Sequence, residues 1–145
     1  LNKHLDDIMA TISDKAAKIL TAEDIVKAKK EGKSGYIINF QNTTALEGRL
    51  SALDLFYKLG LRVLQLTYQR AELVGDGCGS RRAEKAGLTD FGVAVVERMN
   101  KLRMVIDLSH VGYATAMETI EGSKQPPAFT HTNCRAILQF YARQV

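Results

Sequence analysis

Thr89-Asp-Phe-Gly-Val-Ala-Val-Val-Glu-Arg-Met-Asn-Lys-Leu-Arg-Met-Val-Ile-Asp-Leu-Ser-His110 is the stretch on which the fold turns. Thr89 or Asp90 is placed to cap a helix, and Phe91, Val95, Met99 and Leu102 then recur at helical spacing. The period changes at Met104, where an apolar run over 104–108 reads as a buried strand that opens into Ser109 and His110. A capped helix feeding a short apolar strand is half of a repeating βα layout, and the rest of the chain extends it. Upstream, strands are expected over 36–40 and 63–67, with a helix over 47–59 between them. That helix is buried through Leu50, Leu53 and Tyr57 and stopped by Gly60. Downstream, a helix over 113–121 ends at Gly122, a strand over 127–130 is entered through Pro126 and Pro127, and a last helix covers 134–143. Near the start, Leu5, Ile8, Met9, Ile12, Ala16 and Ile19 predict an amphipathic first helix. Thr21 with Glu23 and Asp24 predicts the cap of a second, with Gly32 as its stop.

Strands alternating with helices argue for an α/β fold of parallel strands covered by helices. Four such βα units make about half of a (β/α)8 TIM-type barrel, whose usual size is about 250 residues. An open sheet fits as well; a complete barrel does not.

Composition narrows the class. The chain has 145 residues, 46% hydrophobic and 25% charged, enough for a real core. Its apolar runs, such as Val93 to Val96, fall far short of the roughly 20 residues of a membrane span. The net charge of +4 comes from scattered basic residues. The densest group, Arg81, Arg82 and Lys85, lies in a glycine-rich loop without interleaved aromatics, so no nucleic-acid partner is expected. Two cysteines, Cys78 and Cys134, do not make a disulfide scaffold, which points to a reducing, cytoplasmic setting. The chain starts at Leu1 rather than at Met, and it is expected to be part of a longer polypeptide.

The informative residues stand at strand ends. Gln41, Tyr68, His110 and His131 each follow an expected strand, and in parallel α/β folds the strands' C-terminal ends share the ligand-binding face. Two imidazoles on neighbouring strands suit Zn²⁺, which prefers nitrogen or sulfur donors. The plainer reading of a histidine after a strand is a hydrogen-bonded loop residue; of Tyr68, a packed aromatic; of Gln41, a hydrogen-bonding amide, since neutral amides bind zinc poorly. His4 reads as surface. Cys134, three residues after His131, reads as a buried helix residue before it reads as a ligand or nucleophile. Asp107 is the nearest carboxylate, but alternation points it opposite to Leu108. Gly75-Asp-Gly77 with Gly79 matches neither dinucleotide nor P-loop spacing and reads as a flexible loop over the strand ends.

The blocks Gly87-Leu-Thr-Asp-Phe-Gly92, Val95-Val-Glu-Arg-Met-Asn-Lys-Leu102, Ile106-Asp-Leu-Ser-His-Val111, Phe129-Thr-His-Thr-Asn133 and Leu59-Gly-Leu-Arg-Val-Leu-Gln-Leu-Thr67 together resemble the membrane (renal) dipeptidase family. The resemblance runs from about the first helix to Ile137. It implies a (β/α)8-barrel hydrolase that cleaves dipeptides or related small amides through a zinc-activated water, using two bridged zinc ions. Residues 1–145 would be one partial domain, the central segment of such a barrel. The resemblance makes His110 and His131 ligands of one metal. The His-x-Asp pair that the family places on its first strand has no counterpart here, and the family's late aspartate falls beyond Val145.

Two departures lie inside the match. Gln41 stands where the family usually has a metal-bridging glutamate; its Phe-Gln-Asn-Thr setting resembles the form of one subgroup of the family. Tyr68 stands where many members have a substrate-contacting histidine. The resemblance therefore implies His110, His131 and Gln41 at the metal, Gln41 and Tyr68 in catalysis, and Tyr68 on substrate. One or two zinc ions are expected in an intact protein. A barrel of the same family that binds a small ligand without cleaving it, and an inactive half-barrel fragment, are the competing expectations. Half a barrel also leaves sheet edges exposed, so a homo-oligomer is expected.

Overall fold

The computed structural model describes Thr11 and residues 14–133. The chain divides into two compact units, 1–38 and 39–145. In the first, strand β1 (Ala16–Lys18), helix α1 (Ala22–Lys30) and strand β2 (Ser34–Tyr36) form a small βαβ unit, with β1 and β2 parallel. The expected first helix is corrected here. Ala16 lies in a strand, and Ile19 follows it, donating its N–H to Tyr36 O at 2.9 Å. Pairing with β2 overrides the helical spacing of the apolar residues. Gly35 is required by that pairing: a Cβ there would come within 2.9 Å of Ile19 Cγ1, and Ile19 is buried. Thr11 is helical and Asp14 and Lys15 form a turn; the rest of that expected helix, with His4, lies outside the described residues.

Helix α1 starts and stops as its sequence predicts. Thr21 Oγ1 accepts from Asp24 N while the Asp24 carboxylate accepts from Thr21 N, a capping box that satisfies two otherwise orphaned amides. Gly32 sits at φ +69°, the left-handed geometry a helix stop needs.

The second unit holds the parallel layer. Strand β3 (Ile38–Phe40) lies beside β4 (Leu61–Gln65), and β4 pairs in parallel with β7 (Val105–Asp107), Val63 opposite Val105 and Gln65 opposite Asp107. Ala128 extends the sheet by a single parallel bridge to Asp107, so the expected strand over 127–130 is shorter than its sequence suggests. The expected strand over 36–40 is in fact two, broken at Ile37, with β2 bonded to β1 and β3 to β4.

A 3₁₀ turn (Thr44–Leu46) and helix α2 (Leu50–Leu59) connect β3 to β4. Helix α3 (Asp90–Leu102) connects β4 to β7, and α4 (Tyr113–Gly122) follows β7. Helix α2 packs on β4 and α3, and α3 packs on β7 and α4. Leu53, Val95 and Met99 from the helices meet Leu64, Leu66, Ile106 and Leu108 from the sheet in a buried core. Each such side chain contributes about 1.5–3 kcal/mol on leaving water. Gly60 at φ +108° ends α2 as expected, and Thr89 caps α3 through its hydroxyl to Gly92 N. Among the described residues no helix is long and apolar enough to cross a membrane. The expected helix over 134–143 lies outside the described residues.

The loop after β4 is fastened at many points. It contains a two-residue antiparallel pair, β5 (Ala71–Glu72) with β6 (Gly75–Asp76). Asp76 is buried, accepts from Ser80 Oγ at 2.6 Å and from Arg82 Nη2 at 3.0 Å, and receives Gly112 N at its backbone oxygen. Thr115, buried in α4, accepts from Asp76 N and donates to Ala86 O.

Candidate metal centre

The C-terminal ends of β3, β4 and β7 and the Ala128 bridge deliver Gln41, Tyr68, His110 and His131 to one place. The His110 and His131 ring centres are 5.0 Å apart, and the Tyr68 ring is 4.4 Å from that of His110. Gln41 Nε2 lies 3.2 Å from His131 Nε2. All four residues singled out at strand ends therefore converge, although 90 positions separate Gln41 from His131.

Each is held by its local structure. His110 has φ 60°, a left-handed backbone uncommon for any residue but glycine. It is kept there because Cys78 N donates to His110 O at 2.8 Å and Val111 N closes a turn onto Leu108 O. Val111 also bridges to Gly77. The glycine-rich loop thus buttresses the turn that aims His110. Tyr68 is 40% exposed, with its ring tilted 46° to the His110 imidazole and its backbone N–H bonded to Glu72 Oε1 at 2.7 Å.

Asp107 was the ambiguous residue of the sequence, and the structure gives it a definite place. It is fully buried; Oδ1 accepts from Ser109 N at 2.9 Å, and Oδ2 accepts from Thr130 Oγ1 at 2.5 Å. Burial by itself would raise its pKa, but the hydrogen bonds from Thr130 and Ser109 outweigh it and hold the carboxyl below its ordinary value. His110 is pushed the other way from a salt-bridged histidine. Burial, then the neighbouring His131, lowers its pKa, while Asp107 opposes. A neutral imidazole is the form that binds a metal.

Two observations test whether zinc suits these residues. The donor set is nitrogen from two adjacent imidazoles, which zinc prefers. His110 Nδ1 is also a buried polar atom with no hydrogen-bond partner among the described residues, the condition that a ligand would relieve. The residues fit one ion in part. Among the described residues no group of three or more His, Cys, Asp or Glu converges on one point, so further ligands would have to come from elsewhere. Cys134 lies outside the described residues.

The sequence pattern of the membrane dipeptidase family (Peptidase family M19) matches residues 3–142. This chain belongs to that family. Among curated relatives it is 34% identical over 117 residues to Dipeptidase 3 of Rattus norvegicus, covering 72% of this chain and 22% of that one. Among solved structures, an amidohydrolase from Pseudomonas aeruginosa is 36% identical with a TM-score of 0.78, covering 86% of this chain and 38% of that one. A metallo peptidase from Rhodobacter sphaeroides, liganded with a phosphinate mimic of the dipeptide L-Ala-D-Ala, is 26% identical with a TM-score of 0.84. There the match covers 94% of this chain and 40% of that one. The chain spans about a fifth to a third of the curated relatives it matches, 22% in the rat protein and 35% in a fungal dipeptidase. Its parallel βα units are accordingly part of a barrel.

Sequence reasoning named Asp107 as the nearest carboxylate but missed Ser109 and Thr130, which stand with it behind the histidines. Their position one residue before each histidine was the available signal.

Proposed function

We propose that the intact protein is a zinc-dependent hydrolase of dipeptides or related small amides, with His110 and His131 holding a metal ion. The observation that carries this reading is the 5.0 Å approach of the two imidazoles beside Gln41 and Tyr68 at the strand ends. Zinc bound there would polarise the scissile carbonyl and lower the pKa of a coordinated water toward about 7. Gln41, 3.2 Å from His131 Nε2, is placed to orient a water or an added ligand. Tyr68, exposed beside His110, is placed to donate its phenol hydrogen to a carbonyl or a developing oxyanion. Partial burial and the neighbouring His131 favour the neutral imidazole at His110, the form a ligand needs. For residues 1–145 by themselves, we also propose that a second copy covers the sheet edges that the rest of the barrel would otherwise continue.

A second reading, a barrel that binds a small amide without cleaving it, is favoured by Gln41. A neutral amide lacks the negative charge of the bridging glutamate that the family resemblance leads one to expect. Metal analysis with intact mass, followed by turnover of a dipeptide panel, separates the two. Zinc with hydrolysis that His110→Ala and His131→Ala both abolish supports the enzyme. Zinc or substrate binding without turnover supports the binder, and absence of any divalent ion from the full-length protein sinks the metal reading.

A further inference from the structure

Behind His131 lies a chain of hydrogen bonds whose directions are set by chemistry. The Asp107 carboxyl is fully buried and is an acceptor throughout: Ser109 N, Thr130 N and Thr130 Oγ1 all donate to it. Thr130 Oγ1, 2.5 Å from Asp107 Oδ2, must therefore spend its hydrogen there. The same oxygen lies 2.7 Å from His131 Nδ1, and with its hydrogen already committed it can only accept from that nitrogen. At the other side of the ring, Gln41 Nε2 is a donor 3.2 Å from His131 Nε2, which requires a lone pair on Nε2. The two ends of the imidazole agree. Ser109 completes the arrangement. Its Oγ accepts from both Thr130 N and His131 N at 3.0 Å, fastening this segment to the turn that carries His110.

We infer that Asp107 and Thr130 are positioning residues that fix His131 as its Nδ1–H tautomer and present the Nε2 lone pair to the site. The consequence for zinc affinity rests on the metal-centre reading above; the tautomer does not. Carboxylates acting on metal-binding histidines usually do so directly, whereas here a threonine hydroxyl is interposed and Asp107 Oδ2 stays 3.9 Å from His131 Nδ1. The arrangement also makes Gln41 a competitor for Nε2. A metal ion can bind there only once the amide nitrogen swings aside.

Long-range ¹H–¹⁵N correlation spectra of the metal-free full chain near pH 7.5 read the tautomer directly. Wild type and Thr130→Ser should show a protonated Nδ1 and a pyridine-like Nε2 on His131. Asp107→Asn is the sharper variant. Its Oδ1 still receives the two backbone N–H groups, but its amide nitrogen now donates to Thr130 Oγ1. The threonine hydrogen then turns to His131 Nδ1, and the ring should switch to the Nε2–H form. Titration with Zn²⁺ alone should show affinity about 10–100-fold weaker in Asp107→Asn and Thr130→Val, and near wild type in Thr130→Ser. An Nε2–H His131 in the wild type, or an unchanged tautomer in a folded Asp107→Asn, overturns the inference. The expected tautomers in a protein that binds no zinc uphold it and overturn the metal reading instead.

Discussion

Replacing Gly77 with alanine tests whether the glycine-rich loop aims the site. A Cβ at this position would press on the carbonyl oxygen of Tyr68 and would lie 2.7 Å from the Gln69 carbonyl carbon and 2.8 Å from Arg70 O. These are backbone atoms, which cannot rotate away. Restoring ordinary 3.4 Å contacts requires a move of about 0.7 Å at the Gln69 carbonyl carbon, since 3.4 less 2.7 is 0.7, and a larger one at Tyr68 O. Gly77 N also donates to Arg70 O at 2.9 Å, so the shift stretches a bond on the same segment. Overpacking of this kind costs about 1–3 kcal/mol. For a chain of this size, each kcal/mol lowers Tm by about 2–4 °C. We expect a Tm lower by about 4–8 °C for a cost of about 2 kcal/mol. The move is transmitted to Tyr68, whose ring is 4.4 Å from His110, so the His110 ring resonances should shift as well. Gly122→Ala is the control, because nothing lies within 4 Å of a Cβ there. A Gly77→Ala protein that melts within about 1 °C of wild type and keeps its His110 resonances would refute the claim that this loop positions the tyrosine.

Two further outcomes follow from the same structure. Arg98 on α3 reaches Asp54 on α2 through Nε at 2.7 Å and Nη2 at 2.5 Å, with both side chains about a third exposed. A double-mutant cycle through Arg98→Met and Asp54→Asn should therefore give a coupling of about 0.5–1 kcal/mol that shrinks with added salt; a salt-independent coupling would contradict this assignment. Asp24 has its pKa lowered chiefly by the backbone N–H of Leu20 and then that of Thr21. Since its folded value lies below its unfolded one, its contribution is present above pH ~3.9 and is lost as pH falls through the folded value. Amide exchange at Leu20 and Thr21 should accelerate over that acid range in wild type but already be fast at neutral pH in Asp24→Asn.

The local chemistry of the sequence was sufficient for the elements whose signals are carried by neighbours in the chain. Thr21 with Asp24, Thr89, Gly32 and Gly60 mark helix ends because capping bonds and left-handed glycines act within a few residues. The strand-end positions of Gln41, Tyr68, His110 and His131 were legible for a related reason. Parallel βα units place every strand's C-terminus on one face, so convergence follows from layout alone. Tertiary structure decided what depends on partners distant in sequence. Ala16 to Ile19 carries helical spacing, yet hydrogen bonds to β2 make it extended, and no local pattern contains that competition. Asp107 looked ambiguous because alternation alone assigns a side chain to a face. Its neighbour Thr130, 23 positions away, turned a buried carboxylate into the anchor of His131. The tautomer of an imidazole is set by what touches each nitrogen, and only the folded chain brings Thr130 to one and Gln41 to the other.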